Sequence, residues 1–254
     1  MKFQKRLETE SADFIADDSF RSALIRYKIL KKHIKSMDLA AARERNVQPV
    51  EGECCICFEP FHFASRHILT ACQHSFHPVC LVRALGTGFC TSCPLCRRTA
   101  AGLVPSGIDG DCLRFLAMVR VNANAVQNIH DQAVAAMERR VQELDAHRRM
   151  AGGLCMVCVF SPEVHRRVMI AEATETLAVL ERMVRFDRLN IDGFRKITKK
   201  FDKKTGYHIS PEMMDELHRA SFFRDVSVFG NGRCAALRAR IDMLLRDLRA
   251  GSRD

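Results

Sequence analysis

Apolar and aromatic residues fall at positions 20, 24, 27, 30, 34 and 37, the spacing that lines one face of a helix. The spacing returns from Val126 through Ile129, Ala133, Met137, Val141 and Leu144, while Arg139, Arg140, Glu143 and Asp145 stay off the stripe. Gly152-Gly153 and Ser161-Pro162 then break the chain. Beyond them Ile170, Leu177, Leu180, Val184, Ile191, Phe194 and Phe201 mark a long helix over roughly 163–203, and Thr205-Gly206 supplies its stop. Gly193 lies inside that helix at a cost of about 1 kcal/mol against Ala. Two shorter helices are predicted near 211–222 and 232–249, and Met183, Met213, Met214 and Met243 read as core filler. Outside residues 51–100 the chain therefore reads as helices, a mainly α fold.

Residues 51–100 follow another logic. Cys54-x2-Cys57 opens the segment, Cys72-x-His74-x2-His77-x2-Cys80 follows, and Cys93-x2-Cys96 closes it. Eight such ligands are enough for two tetrahedral Zn²⁺ ions, and a C-x2-C pair lets two thiolates of one tight knuckle reach a single metal. Fifty residues carry little apolar core, so metal binding is expected to supply much of the folding free energy of this module. Cys90-x2-Cys93 offers an alternative to the closing pair, Cys55 is left over, and the isolated Cys155-x2-Cys158 lacks a second ligand pair. A DNA-binding finger with two Cys and two His fits poorly, because His74 and His77 are only two residues apart.

Charge adds a partner class. The 254 residues carry a net charge of +10, with 47% hydrophobic and 28% charged residues, an ordinary globular balance that favours an anionic partner. No apolar run of eighteen residues exists and the N-terminus lacks a signal-like core, so the expected setting is cytoplasmic or nuclear, with reduced cysteines. The basic residues are not scattered. Lys28, Lys31, Lys32 and Lys35 repeat at i, i+3, i+4, i+7, and so do Lys196, Lys199, Lys200 and Lys203. Like charges so placed destabilise a helix by roughly 0.2–0.5 kcal/mol per pair. If the two helices pack side by side, their lysines form one concentrated anion site, with the Tyr27 hydroxyl one turn away. No aromatic residues are interleaved for base stacking, which counts against nucleic acid.

"CQHSFHPVC" and "CPLC" make residues 51–100 resemble a RING finger of the H2 type. The resemblance implies interleaved ligands: Cys54, Cys57, His77 and Cys80 for the first zinc, and Cys72, His74, Cys93 and Cys96 for the second. Pro94 after Cys93 and Arg97 after Cys96 match the closing knuckle of that family. It also implies a ubiquitin ligase without a nucleophile, in which Ile56, Pro94 and Arg97 dock a ubiquitin-conjugating enzyme charged with ubiquitin. Where many active members carry Trp, Ala84 stands here, with Leu85 expected to cover part of that surface.

"MKFQKRL", "YKILKK" and "LNIDGFRKITKKFDK" together resemble an SPX domain, with weaker likeness in "FLAMVRVNANAV" and "SFFRDVSVFGNG". That resemblance implies an N-terminal helical hairpin laid against two long helices, with two short C-terminal helices. It further implies binding of inositol polyphosphates and pyrophosphates through Tyr27, Lys31, Lys196, Lys199, Lys200 and Lys203, with Lys28 and Lys2 as additions. The implied organisation is SPX over 1–48, RING over 51–100 as an insertion, and SPX again over 104–250. Plant ubiquitin ligases of the nitrogen limitation adaptation type are similar in content, although there the RING follows a complete SPX domain. The expectation is a zinc-dependent ubiquitin ligase acting on a protein substrate such as a phosphate transporter. The alternative is a non-enzymatic inositol-pyrophosphate sensor whose zinc fold is a structural or interaction module.

Overall fold

A computed structural model describes residues 3, 26–37, 52–61, 68–70, 72, 74–85, 92–98, 108–151, 162–226 and 232–250. The elements are α1 (Tyr27–Ser36), β1 (Ile68–Leu69), β2 (Ser75–Phe76), α2 (Pro78–Leu85), α3 (Ile108–Ala151), α4 (Pro162–Thr205), α5 (Ser210–His218), α6 (Ser221–Val226) and α7 (Arg233–Ala250). The chain is mainly helical, and the two strands form one antiparallel pair with Ile68 opposite Phe76.

The described residues fall into two compact units. The first takes α1, the cysteine-rich segment, α3 as far as Ala125, α4 from Ile191, and α5. In it α1 runs antiparallel to α3: the backbone N–H of Arg26 donates to Asn122 Oδ1 at 3.1 Å, and His33 Nε2 lies 3.3 Å from the carbonyl of Asp111. Leu30 and Ile34 are buried. Phe115 of α3 stacks on Phe201 of α4 with centroids 4.3 Å apart, and the Tyr207 hydroxyl donates to the Asp109 carboxylate in the same interior. Gly206, at φ +75°, ends α4 in the left-handed conformation that glycine adopts without strain, and its N–H donates to the Asp202 carbonyl.

The second unit takes α3 from Val126, α4 up to Asn190, α6 and α7. Its core joins Val134, Met137, Val141 and Leu144 of α3, Met169, Ala173, Leu180 and Met183 of α4, and Leu237, Ile241, Leu244 and Leu248 of α7. Charged pairs flank that core: Arg233 with Glu138, and Arg240 with Asp145, repeat one heptad apart on both helices. Because both numbers rise together, α7 runs parallel to α3 here.

Three expectations shift. The helix predicted from Val126 begins at Ile108, because Cys112, Phe115, Leu116 and Val119 form a buried stripe of their own. The single helix expected near 211–222 is two, α5 and α6, so three helices follow Gly206 among the described residues rather than two. The break has a tertiary cause: Gln127 Oε1 accepts the Ser221 N–H at 2.8 Å, and the Ser221 hydroxyl donates to Asp131 Oδ1 at 2.7 Å. Met243 is exposed rather than core, whereas Met183 and Met213 are buried. Positions 20–25, Lys2, Cys90, Cys155 and Cys158 lie outside the described residues.

Candidate functional site

Two knuckles of like geometry organise the cysteine-rich segment. In the first, the Phe58 N–H donates to the Cys54 carbonyl at 2.7 Å and the Cys54 N–H to the Glu59 carbonyl at 2.9 Å. In the second, the Arg97 N–H donates to the Cys93 carbonyl at 2.9 Å and the Cys93 N–H to the Arg98 carbonyl at 3.1 Å. The residue after each second cysteine takes a positive φ, +60° at Phe58 and +56° at Arg97. A left-handed residue turns the chain sharply enough for both sulfurs of a C-x2-C pair to face one point, and its strain is offset by those hydrogen bonds.

The structure gathers Cys54, Cys57, His77 and Cys80 in one cluster and Cys72, His74, Cys93 and Cys96 in another, with ligand atoms in each within 4.8 Å of one another. His77 Nδ1 lies 3.3 Å from Cys57 Sγ; His74 Nδ1 lies 3.3 Å from Cys72 Sγ and 3.5 Å from Cys93 Sγ. The Thr70 hydroxyl lies 3.1 Å from Cys72 Sγ and brings that thiol down to about 6, where it ionises readily. Burial pushes the Cys80 thiol up instead, and the neighbouring Cys54 adds to it. Six sulfurs and two imidazole nitrogens in two four-membered sets fit zinc by donor type and number.

Of the expected docking residues, Ile56 is half-buried while Pro94 and Arg97 are exposed. Leu85, the last residue of α2, is buried and offers no surface, contrary to expectation. Sequence reasoning passed over Phe58 and Leu95, which are 71% and 53% exposed on the two knuckles. The signal was available, since a large apolar residue beside a metal ligand rarely has a core to enter in so small a module.

Within the first unit, charged groups tie α2 to α3 and α5. Arg120 of α3 donates to the Val82 carbonyl at 3.0 Å and pairs with Glu216 of α5 at 2.8 Å, while Arg83 approaches the other Glu216 oxygen at 3.6 Å. Glu212, one turn before, is held up to about 7 by burial, against the opposing pull of Arg83 and with help from the Asp202 and Asp215 carboxylates.

The basic face lies in the same unit. Lys200 has its pKa lowered, by burial first and then by the ammonium groups of Lys31, Lys35 and Lys204, so lysines of α1 and α4 act on one another. Tyr27 is buried, meets Phe3 edge-on with centroids 4.9 Å apart, and has its phenol pushed up by burial. Lys196 Nζ sits 4.2 Å above the centroid of Phe3 and 3.6 Å from the Asp192 carboxylate. Lys199 and Lys203 are exposed on α4, and Lys28 is exposed on α1. Asp202, which stands among these lysines, uses its two oxygens to accept the N–H groups of Ile209 and Ser210 at 3.0 and 3.1 Å at the start of α5. Lys204 joins the face although it lies outside the repeat that drew attention to the others.

Residues 166–217 match the family model of the SPX domain. The fold is similar to that of the SPX domain of Chaetomium thermophilum glycerophosphodiester phosphodiesterase 1, solved in complex with inositol hexakisphosphate, with a TM-score of 0.56 and 18% identity over 98% of this chain and 99% of that one. Identity that low speaks to fold alone. The RING-H2 finger protein ATL66 of Arabidopsis thaliana is 43% identical over 56 residues, 22% of this chain and 34% of that protein. The E3 ubiquitin-protein ligase RNF186 of Mus musculus is 44% identical over 64 residues, 23% of this chain and 27% of that protein. The chain thus matches about a third or less of the length of these relatives. No helix of the described residues is long and apolar enough to cross a membrane.

Proposed function

We propose that this chain, an SPX domain protein with an inserted RING-H2 finger, is a RING-type ubiquitin-protein ligase regulated by inositol polyphosphates or pyrophosphates. The observation that carries the reading is that two complete four-ligand sets and the shared lysine face occur in one compact unit. Cys54, Cys57, His77 and Cys80 would hold one zinc, and Cys72, His74, Cys93 and Cys96 the other. Bound zinc would supply shape, fixing both knuckles, and no chemical step would pass through it.

Catalysis would then be orientation. Ile56, Pro94 and Arg97 dock a conjugating enzyme charged with ubiquitin, and a substrate lysine attacks the thioester in a fixed geometry that raises its effective concentration. Tyr27, Lys31, Lys196, Lys199, Lys200 and Lys203 bind the phosphates, with Lys35 and Lys204 adding charge. Occupancy relieves the lysine repulsion and stabilises the folded state by mass action. Under this reading the ligase reports phosphate status, with a phosphate transporter as the substrate class.

The test is ubiquitination in vitro by the full chain with a panel of conjugating enzymes, with and without inositol hexakisphosphate. Conjugates are expected with some enzymes, with a rate that responds to the ligand and falls about tenfold in Ile56→Ala and Arg97→Ala, as loss of one anchor worth about 1.4 kcal/mol gives. Absence of conjugates across the panel would leave the second reading, an inositol-phosphate sensor and adaptor. That reading draws on exposed Ala84, small where many active members carry Trp, beside a buried Leu85.

A further inference from the structure

A third group of metal-ligating side chains lies inside the second unit. His130 projects from α3, Asp225 stands near the end of α6, and Cys234 is in the first turn of α7. Their ligand atoms lie within 4.8 Å of one another, and His130 Nε2 is 2.9 Å from Asp225 Oδ2. His130 is fully buried, Cys234 is 4% exposed and the Asp225 side chain 8%. The other ring nitrogen is held by a second carboxylate, Asp187 Oδ2 at 2.8 Å from His130 Nδ1. We propose that His130, Asp225 and Cys234 form a third divalent-cation site of zinc type, with Asp187 orienting the imidazole from behind.

Three features carry this. A carboxylate on the far nitrogen of a histidine fixes the tautomer that leaves Nε2 free for metal and raises its basicity. Imidazole, thiol and carboxylate together suit zinc and its neighbours in the transition series rather than magnesium or calcium. A protonated His130 bridging two carboxylates would use only the nitrogen and oxygen donors. It would leave the buried Cys234 sulfur without a role. A cation engages nitrogen, oxygen and sulfur at once.

The backbone is also built for the approach. A Cβ at Gly232 would meet the Asp225 Cα at 2.6 Å, so only glycine lets the chain entering α7 pass this close to Asp225. The Arg233 N–H donates to Asp225 Oδ1 at 3.3 Å, which leaves Oδ2 for His130. Asp225 and Cys234 both border a cavity of about 600 Å³, with Arg185, Arg188 and Arg238 on its wall. That cavity gives an ion a route of entry and leaves room for water or a small anion as its fourth ligand.

The experiment measures metal per chain on the full-length protein loaded with Zn²⁺, for wild type, Cys234→Ala and Asp225→Asn. About three ions per chain are expected in wild type, for the three ligand groups, and about two in each variant. Loading with Co²⁺ reads the sulfur directly: thiolate-to-cobalt charge transfer should fall by about one part in seven in Cys234→Ala, since Cys234 joins the six cysteines of the other two groups. Circular dichroism reports whether each variant keeps its helices; if one does not, the wild-type stoichiometry and the other variant decide. Two ions in wild type, or a third ion that persists in both variants, would overturn the proposal whether or not the protein is a ubiquitin ligase.

Discussion

Lys200 shows what a basic face does to its own members. Burial and then three neighbouring ammonium groups lower its pKa, so the folded state holds that proton less readily than the unfolded chain. At neutral pH both states carry the proton and folding bears the repulsion in full; the repulsion fades only as pH rises through the lowered value. A polyanion relieves it without any change of pH. Lys200→Gln is therefore expected to raise the stability of the unliganded protein by on the order of a few tenths of a kcal/mol, because the group is solvent-screened. It should weaken inositol hexakisphosphate binding about tenfold or more, since a hydrogen bond to a charged group is worth about 1.5–3 kcal/mol. Thermal melts and calorimetric titration check both halves, and unchanged affinity would remove this face as the site. Phe58 and Leu95 call for the opposite profile. Phe58→Ala and Leu95→Ser should leave stability within about 0.5 kcal/mol. They should weaken conjugating-enzyme binding about tenfold if these exposed side chains are anchors; equal affinity in a binding assay would show them to be idle. The C-x2-C pairs were legible in the sequence because their spacing is local, whereas the interleaving of the two four-ligand groups came only from the resemblance to RING fingers. Phe58 and Leu95 belong to no helical stripe and to no ligand pattern, so their only mark in the sequence is a large apolar side chain beside a cysteine. His130, Asp187, Asp225 and Cys234 were not legible at all, because no local pattern ties residues that only tertiary packing brings together.

Among elements, α2 is the one whose attachment carries most consequence. It bears Cys80, and it is held by Arg120 through the Val82 carbonyl and through Glu216 of α5. Helix α5 is in turn capped at its N-terminus by Asp202, which stands among the lysines of α4. Under the proposed reading, a shift of α4 at its basic end would reach α5 through Asp202, and through Glu216 and Arg120 the helix that bears Cys80. Arg120→Ala breaks this attachment and is expected to cost about 1–3 kcal/mol, because it strips a carbonyl and a carboxylate of a charged donor. Zinc content should not change, while amide exchange in 78–85 should quicken and lose its response to inositol hexakisphosphate. If exchange in 78–85 responds to the ligand as well in Arg120→Ala as in wild type, α5 does not couple the two sites. Helix periodicity had outlined α4 and α7 closely, since each carries an apolar stripe along most of its length. It could not divide α5 from α6, because that break is made by Gln127 and Asp131 reaching Ser221 from another helix.

For the molecule as a whole, the two compact units differ in what holds them. The second has an apolar core drawn from three helices, with Val134, Leu180, Met183 and Ile241 fully or almost fully buried. The first contains the cysteine-rich segment, whose described residues bury Phe76, Leu81, Val82 and Leu85 and gather eight candidate metal ligands in two groups, so under the proposed reading bound metal adds to a small apolar core. Strong chelation should therefore act on one unit and not evenly on the chain. Helical circular dichroism should largely survive, since α3, α4 and α7 do not depend on the cysteines of that segment. Limited proteolysis should open cleavage within 52–98 first. Inositol hexakisphosphate should protect the other way, slowing amide exchange in α1 and in α4 from Ile191 onward by an amount set by ligand excess, about 2.7 kcal/mol at a hundred times the dissociation constant. Exchange in α7 should stay as it was, because no group of that helix belongs to the basic face. Uniform protection of all helices would show that the ligand is read by the entire molecule. Protection confined to α7 would place the anion in the cavity beside Arg238, and the lysines of α1 and α4 would be left as a solvated surface.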